Sequence, residues 1–271
     1  LSAFAARYGP WALVTGASSG IGAEFARQIA SRGVHVVLVA RRAERLAALA
    51  HEIEGRDGVQ TLVVAADLTQ DNAVDTVAER IGTRAIGLLV NNAGFGRSER
   101  FIEQREHNYD RMLDLHCRAP LLLTHRFASP MAERRHGGII FTSSTAGLIP
   151  TARLAHYSAT KSWGHFMAQT LHAELRHDGV DVLSACPGPT DTEFFNDGES
   201  HPSKGSRIIR WQMTQPSDVA HAALAGLGRT TVVIPGLSNK LIVALLRLVP
   251  AHFIGRLTDR AMRKVMQARH S

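Results

Sequence analysis

The stretch Trp11-Ala12-Leu13-Val14-Thr15-Gly16-Ala17-Ser18-Ser19-Gly20-Ile21-Gly22 decides how the rest of the chain is read. Its first five residues form a short apolar run of strand type, and a helical pattern begins at once after the last glycine. Between them, glycine permits a tight turn and lets backbone come close to a bound group. A helix starting there offers free N–H groups and the positive end of its dipole, which suits a pyrophosphate. A Gly-x-x-x-Gly-x-Gly string alone is weak, but a strand before it and a helix after it make a dinucleotide site the specific reading. Gly16, Ser18, Ser19, Gly20, Ile21 and Gly22 are its candidate contacts.

Outward from this turn, apolar runs alternate with helical patterns as far as Pro235. Strands are expected at 11–15, 34–40, 59–66, 86–92, 138–144, 180–187 and 231–235, with helices near 21–31, 43–54, 71–80, 108–134, 156–177 and 217–227. This is the pattern of an α/β fold: a Rossmann-type, doubly wound, seven-stranded parallel sheet in a single domain. The expected division is 1–238 for that domain, with a substrate lid near 190–215, and 239–271 for a basic helical extension.

With 45% hydrophobic and 20% charged residues the chain can bury a sizeable core, and no apolar run reaches the roughly 18 residues of a membrane span. Cys117 and Cys186 are the only cysteines and neither lies in a C-x-x-C, so no disulfide framework or structural zinc site is encoded; a reduced, cytoplasmic setting fits. The histidines form no metal-binding motif, and no metal is expected. A chain opening on Leu1 in place of Met is expected to lack a few residues ahead of it. The formal charge is +7, of which residues 239–271 carry +6. A basic end on a nearly neutral body argues against a nucleic-acid groove.

Further motifs follow in order. Asp67 and Leu68 come after the third strand, Asn91-Asn92-Ala93-Gly94 after the fourth and Ser144 after the fifth. Tyr157 and Lys161 open a helix, and Pro187-Gly188, Thr190 and Thr192 follow the sixth strand. Over roughly residues 10 to 235 this ordered set resembles the short-chain dehydrogenase/reductase family. The resemblance implies a nicotinamide-dependent oxidoreductase in which Tyr157 passes a proton to a carbonyl oxygen, Ser144 hydrogen-bonds the same oxygen, and Lys161 also binds the nicotinamide ribose. Asp67 and Leu68 would flank the adenine, with Asn92, Ala93 and Gly94 under the adenosine half. A homodimer or homotetramer is implied as well. Tyr157 and Lys161 are four apart on a helix and face one side, where a cation would lower the phenol's pKa from its usual value near 10.

Where the family has asparagine ahead of the serine, this chain has His116, read as a neutral member of the proton path within water-bridged reach of Lys161, as a tolerated substitute, or as a core histidine. The second strand ends Val39-Ala40-Arg41-Arg42 without an acid, so NADP(H) is expected over NAD(H): Arg41 and Arg42 welcome a 2′-phosphate that a carboxylate would repel. Phe95, Leu148, Ile149, Phe194 and Phe195 are expected to line the substrate end and favour a small-molecule hydrophobic ketone or secondary alcohol, of lipid, steroid-like, terpenoid or aromatic type, over a sugar. Another reading is a catalytically silent nucleotide-binding protein altered at His116. Residues 240–271 combine an apolar run with Leu257, Ala261, Val265 and Met266 at helical spacing among basic residues. Packing on the protein's own body is preferred there, with weak contact to an anionic membrane surface as the other possibility.

Overall fold

The computed structural model describes residues 2–193 and 213–267. Seven strands, β1 (Trp11–Thr15), β2 (His35–Ala40), β3 (Thr61–Ala65), β4 (Ile86–Asn91), β5 (Gly137–Thr142), β6 (Val180–Ala185) and β7 (Val232–Val233), form one parallel sheet in the order β3-β2-β1-β4-β5-β6-β7. The strands begin and end within two residues of the sequence expectation.

The pleat explains the two cores. Along β1, Ala12 and Val14 join one apolar cluster while Trp11 and Leu13 join the other. On the first face lie α1 (Ala3–Tyr8), α2 (Gly20–Ala30), α3 (Ala43–Asp57) and α8 (Pro216–Gly226); on the second lie α4 (Ala73–Ile81), α6 (Ala119–Glu133) and α7 (Ala155–Leu175). Leu13 and Leu89, on the neighbouring strands β1 and β4, are wholly buried, each contributing about 1.5 to 3 kcal/mol relative to an exposed position. Helices on both faces leave the carboxyl ends of the strands open. The order reverses between β1 and β4, where such sheets carry their ligands.

The continuous helix expected over 108–134 is divided. α5 (Glu106–Leu113) runs into a π-turn at Asp114–Arg118 before α6. The wider turn admits one extra residue and re-aims the side chains on it, as π-turns at functional sites do. It carries His116 into the interior, 5% exposed.

At the far end the apolar run forms α9 (Leu237–Arg247), and the basic pattern forms α10 (Ala251–Gln267). The boundary placed between 238 and 239 therefore falls inside the first turn of α9. The stretch 190–215 is pinned where it leaves and rejoins the body: Thr190 pairs with Thr214, and Asp191 N–H donates to Thr214 O. Among the described residues no helix is long and apolar enough to cross a membrane.

Candidate active site

The turn after β1 is shaped for a bound anion. Gly16 and Gly20 hold left-handed φ values of 69° and 55°, open to glycine without strain. Ser19 begins α2 without a side-chain cap, so the first amides of that helix remain available for a ligand. Gly22 has a different task from the cofactor contact expected of it. A side chain there would meet Gly16 O at 2.2 Å, so it packs the helix onto the turn and does not reach the cleft.

Beneath the turn, Thr15 Oγ1 donates to Val90 O at 3.2 Å and accepts from the Asn92 and Ala93 N–H groups at 2.9 and 3.0 Å. One hydroxyl thus ties the end of β1 to the segment after β4 and sets the floor of the cleft. Asn92, Ala93 and Gly94 line that floor, whereas Asn91 turns into the core and donates to Thr124 Oγ1. Asp67 closes a local turn by accepting from Thr69 N–H and Oγ1, and lines the cleft beside Leu68.

A single cleft of about 1000 Å³ runs over these elements and joins almost all the expected site residues. Gly16, Ser18, Ser19, Gly20 and Ile21 stand with Arg41 and Arg42 at one end, and Ser144, Tyr157 and Lys161 stand at the other. Pro187, Gly188, Thr190 and Thr192 border it from β6. Phe95 and Ile149 line it too, but Leu148 does not: it caps the short 3-10 turn after Ser144, donating N–H to Thr145 O. Phe194 and Phe195 lie outside the described residues.

At the other end Ser144 hydrogen-bonds the Tyr157 side chain, and both are buried. Burial pushes the Tyr157 phenol up to about 12, with the Ser144 bond pulling the other way. The expected lowering by Lys161 does not prevail among the protein's own groups. The ammonium donates to Thr142 O at 2.9 Å and stands 5.8 Å from the centre of the Tyr157 ring. Burial in turn brings Lys161 down to about 8.

His116 departs most from expectation. Thr160 Oγ1 donates its one proton to Tyr157 O at 2.9 Å, so the contact at 2.9 Å between His116 Nδ1 and Thr160 Oγ1 needs the proton on Nδ1. Nε2 is then bare and accepts from Phe95 N–H at 3.1 Å. Both nitrogens are engaged, and the ring does not line the cleft. Burial first, then Lys161 and His156, hold its pKa well below 6.5. Burial thus favours the neutral ring, and its two hydrogen bonds place it to position the Gly94-Phe95 backbone against α7. A side chain on Gly94 would lie 2.9 Å from His116 Nε2 and 3.3 Å from Lys161 Nζ.

Several lining residues escaped the sequence reading. Arg45 joins Arg42 at the start of α3, and both bind Glu193, with distances of 2.7 and 2.9 Å. Arg42 also donates to Ser18 and Ser19 Oγ at 3.0 and 2.7 Å. Spacing from Arg42 was a signal for Arg45; nothing local announces Glu193. Asn239 of α9 is 3% exposed and abuts Gly188, where a side chain would meet its Oδ1 at 2.3 Å. Ile242, Leu245 and Leu246 of α9 and Leu257 of α10 form an apolar wall of the same cleft. Among the described residues no cluster of histidine, cysteine or acidic side chains could hold a metal.

The family pattern described as short chain dehydrogenase matches residues 10–202. The chain belongs to the short-chain dehydrogenase family. Its members are nicotinamide-dependent oxidoreductases acting on alcohol and carbonyl groups. Among curated proteins, the chain is 36% identical over 184 residues to a very-long-chain 3-oxoacyl-CoA reductase of Anas platyrhynchos, covering 66% of this chain and 59% of that one. It is 38% identical over 179 residues to the protein of the same name in Neurospora crassa, covering 64% and 54%. The chain thus spans little more than half the length of these relatives. Among solved structures, one described by the stereoselectivity of 7beta-hydroxysteroid dehydrogenase superposes with a TM-score of 0.86 at 27% identity, covering 94% of this chain and 99% of that one. A short-chain dehydrogenase from Sphingobium yanoikuyae in complex with NADPH gives 0.77 at 33% identity, covering 88% and 94%.

Proposed function

We propose that this protein is an NADP(H)-dependent reductase of bulky hydrophobic ketones, or the dehydrogenase of the matching secondary alcohols. The observation that carries the reading is the Ser144–Tyr157 pair, buried beside Lys161 where one cleft changes from a glycine-lined anion cradle to an apolar wall. The uncapped start of α2, the left-handed glycines and the Thr15-held floor suit a nicotinamide dinucleotide, which when bound supplies or accepts hydride. Ser144 orients the substrate oxygen, and Tyr157 gives a proton to it in reduction and takes one in oxidation. Lys161 supplies positive charge that favours the phenolate left behind. Ile242, Leu245, Leu246 and Leu257 exclude water and favour apolar flanks on both sides of the carbonyl, which supports the lipid-like or steroid-like end of the range expected from sequence. The names of the relatives, a 3-oxoacyl-CoA reductase and a hydroxysteroid dehydrogenase, agree with a bulky carbonyl compound.

A panel of aryl, steroid and long-chain 3-oxoacyl ketones, followed by nicotinamide absorbance, tests the reading. Turnover of bulky apolar ketones with little on short ones is expected, and tight cofactor binding with no turnover across the panel would sink it in favour of a silent nucleotide-binding protein.

Cofactor choice follows from the arginines. With no acid at the end of β2, the guanidinium groups of Arg41 and Arg42 favour a 2′-phosphate. A hydrogen bond to a charged group contributes about 1.5 to 3 kcal/mol, and exposure puts this pair at the lower end. NADPH is therefore expected to bind about tenfold tighter than NADH. The double variant Arg41→Ala, Arg42→Ala is expected to erase most of that ratio by weakening NADPH alone. Because Glu193 engages Arg42 and Arg45, Glu193→Gln is expected to widen the preference. Titrations with equal affinities in the unaltered protein would refute the assignment.

A further inference from the structure

The outer surface of α9 and α10 reverses the usual arrangement of a surface helix. Leu237, Leu241, Leu245 and Leu248 recur at intervals of four and three on α9, so they share one face, and they are 84, 55, 55 and 82% exposed. Phe253 and Leu257, four apart on α10, are 51 and 53% exposed. The opposite side of the pair is already used: Val243 and Ile254 are buried in the body, and Thr258 Oγ1 accepts from Ala152 N–H at 3.1 Å.

Around this apolar face stand the exposed cations Lys240, Arg247, Arg256 and Arg260. The one acid between 237 and 260, Asp259, lies 3.9 Å from Arg153. Leu245 and Leu257 belong both to the exposed face and to the cleft wall, so the apolar part of the cleft opens at its edge.

We infer that the joint face of α9 and α10 docks on an anionic lipid bilayer, with the leucines and Phe253 in the acyl boundary and the flanking cations at the headgroups. A second copy of the chain would also cover apolar surface, but an isologous contact brings like cations together, whereas an anionic surface neutralises them. The cleft mouth at the membrane boundary would admit a lipophilic substrate directly from it. This surface stands on its own observations and does not depend on the substrate proposed above.

The test is sedimentation of the full chain with phosphatidylcholine vesicles, with and without phosphatidylglycerol, across a salt series. At least tenfold stronger binding to the anionic vesicles, weakening as salt rises, is expected. Leu241→Ser with Leu248→Ser, and separately Lys240→Gln with Arg247→Gln, are each expected to lose most of that binding. Their melting temperature and NADPH affinity should stay unchanged. Equal affinity for neutral vesicles, no salt dependence, or a lipid-free dimer that the leucine variants dissociate would overturn the inference. Because the glutamine pair leaves every apolar contact in place, it still reads the charge requirement if the serine pair fails to fold.

Discussion

Replacing Tyr157 by phenylalanine is expected to lower kcat for ketone reduction by about a thousandfold while leaving NADPH affinity within a few-fold. The ring still fills its buried place beside His116, at 5.8 Å between centres, so the loss is that of the proton donor and not of packing. The pH profile adds an independent check. With its phenol pushed up to about 12 by burial, Tyr157 keeps its proton throughout the neutral range and is ready as the acid for reduction. Lys161, brought down to about 8 by burial, is charged below that pH and neutral above it. As pH rises past about 8, the cation that favours the departing phenolate is lost, so kcat/KM for reduction should fall on the alkaline side with a midpoint there. Lys161→Arg keeps the charge and should move the fall to higher pH. A flat alkaline limb in the unaltered enzyme, or a phenylalanine variant that retains a tenth of its activity, would contradict this assignment.

His116→Ala is expected to lower kcat ten- to a hundredfold with cofactor affinity little changed. Alanine leaves the Phe95 N–H and Thr160 Oγ1 without their buried partner, and an unmet buried polar group costs about 1 to 3 kcal/mol, the same range as that loss in rate if it falls on placement of the reacting groups. His116→Asn can offer an oxygen to one of the two groups and should keep more of the activity. What separates positioning from a proton relay is titration. A relay through the imidazole would give an acidic limb, whereas the bare Nε2 accepts from Phe95 N–H and is held well below 6.5. The nitrogen shifts of His116 should therefore report one neutral tautomer, protonated on Nδ1, from pH 7.5 down to about pH 5.5. An imidazolium signal in that range, or full activity in the alanine variant, would remove the positioning role.

The fold was legible because its signals are local. A parallel strand buried on both faces announces itself by an apolar run such as VHVVLVA, and Gly16 to Gly22 show a turn that only glycine can follow. The candidate pair Tyr157 and Lys161 was legible for a similar reason, since the two share one helix face. What could not be read depends on distant parts of the chain meeting. Glu193 reaches Arg42 from 151 positions away, and Asn239 meets Gly188 only because the start of α9 returns to the turn that follows β6. Leu148 and Gly22 were expected in the cleft from nearness in sequence, whereas one caps a turn and the other packs α2 onto the turn after β1. His116 was singled out by its departure from the family pattern, but its contacts depend on which nitrogen holds the proton, and that is set by Thr160 and the Phe95 backbone, 44 and 21 positions from it.

The contact between Asn239 and Gly188 makes α9 a lever held at one end. Asn239 donates to Pro235 O and abuts Gly188 on the turn that borders the cleft, so the first turn of the helix is held against that turn. Ile242, Leu245 and Leu246 stand further along the same rod, where side chains can change size without disturbing that anchor. Size changes at those three positions are thus expected to alter which ketones are accepted while Ser144, Tyr157 and Lys161 keep their places. A chimera that exchanges this helix for a relative's should keep its cofactor affinity when position 239 stays asparagine, and change only which ketones it accepts.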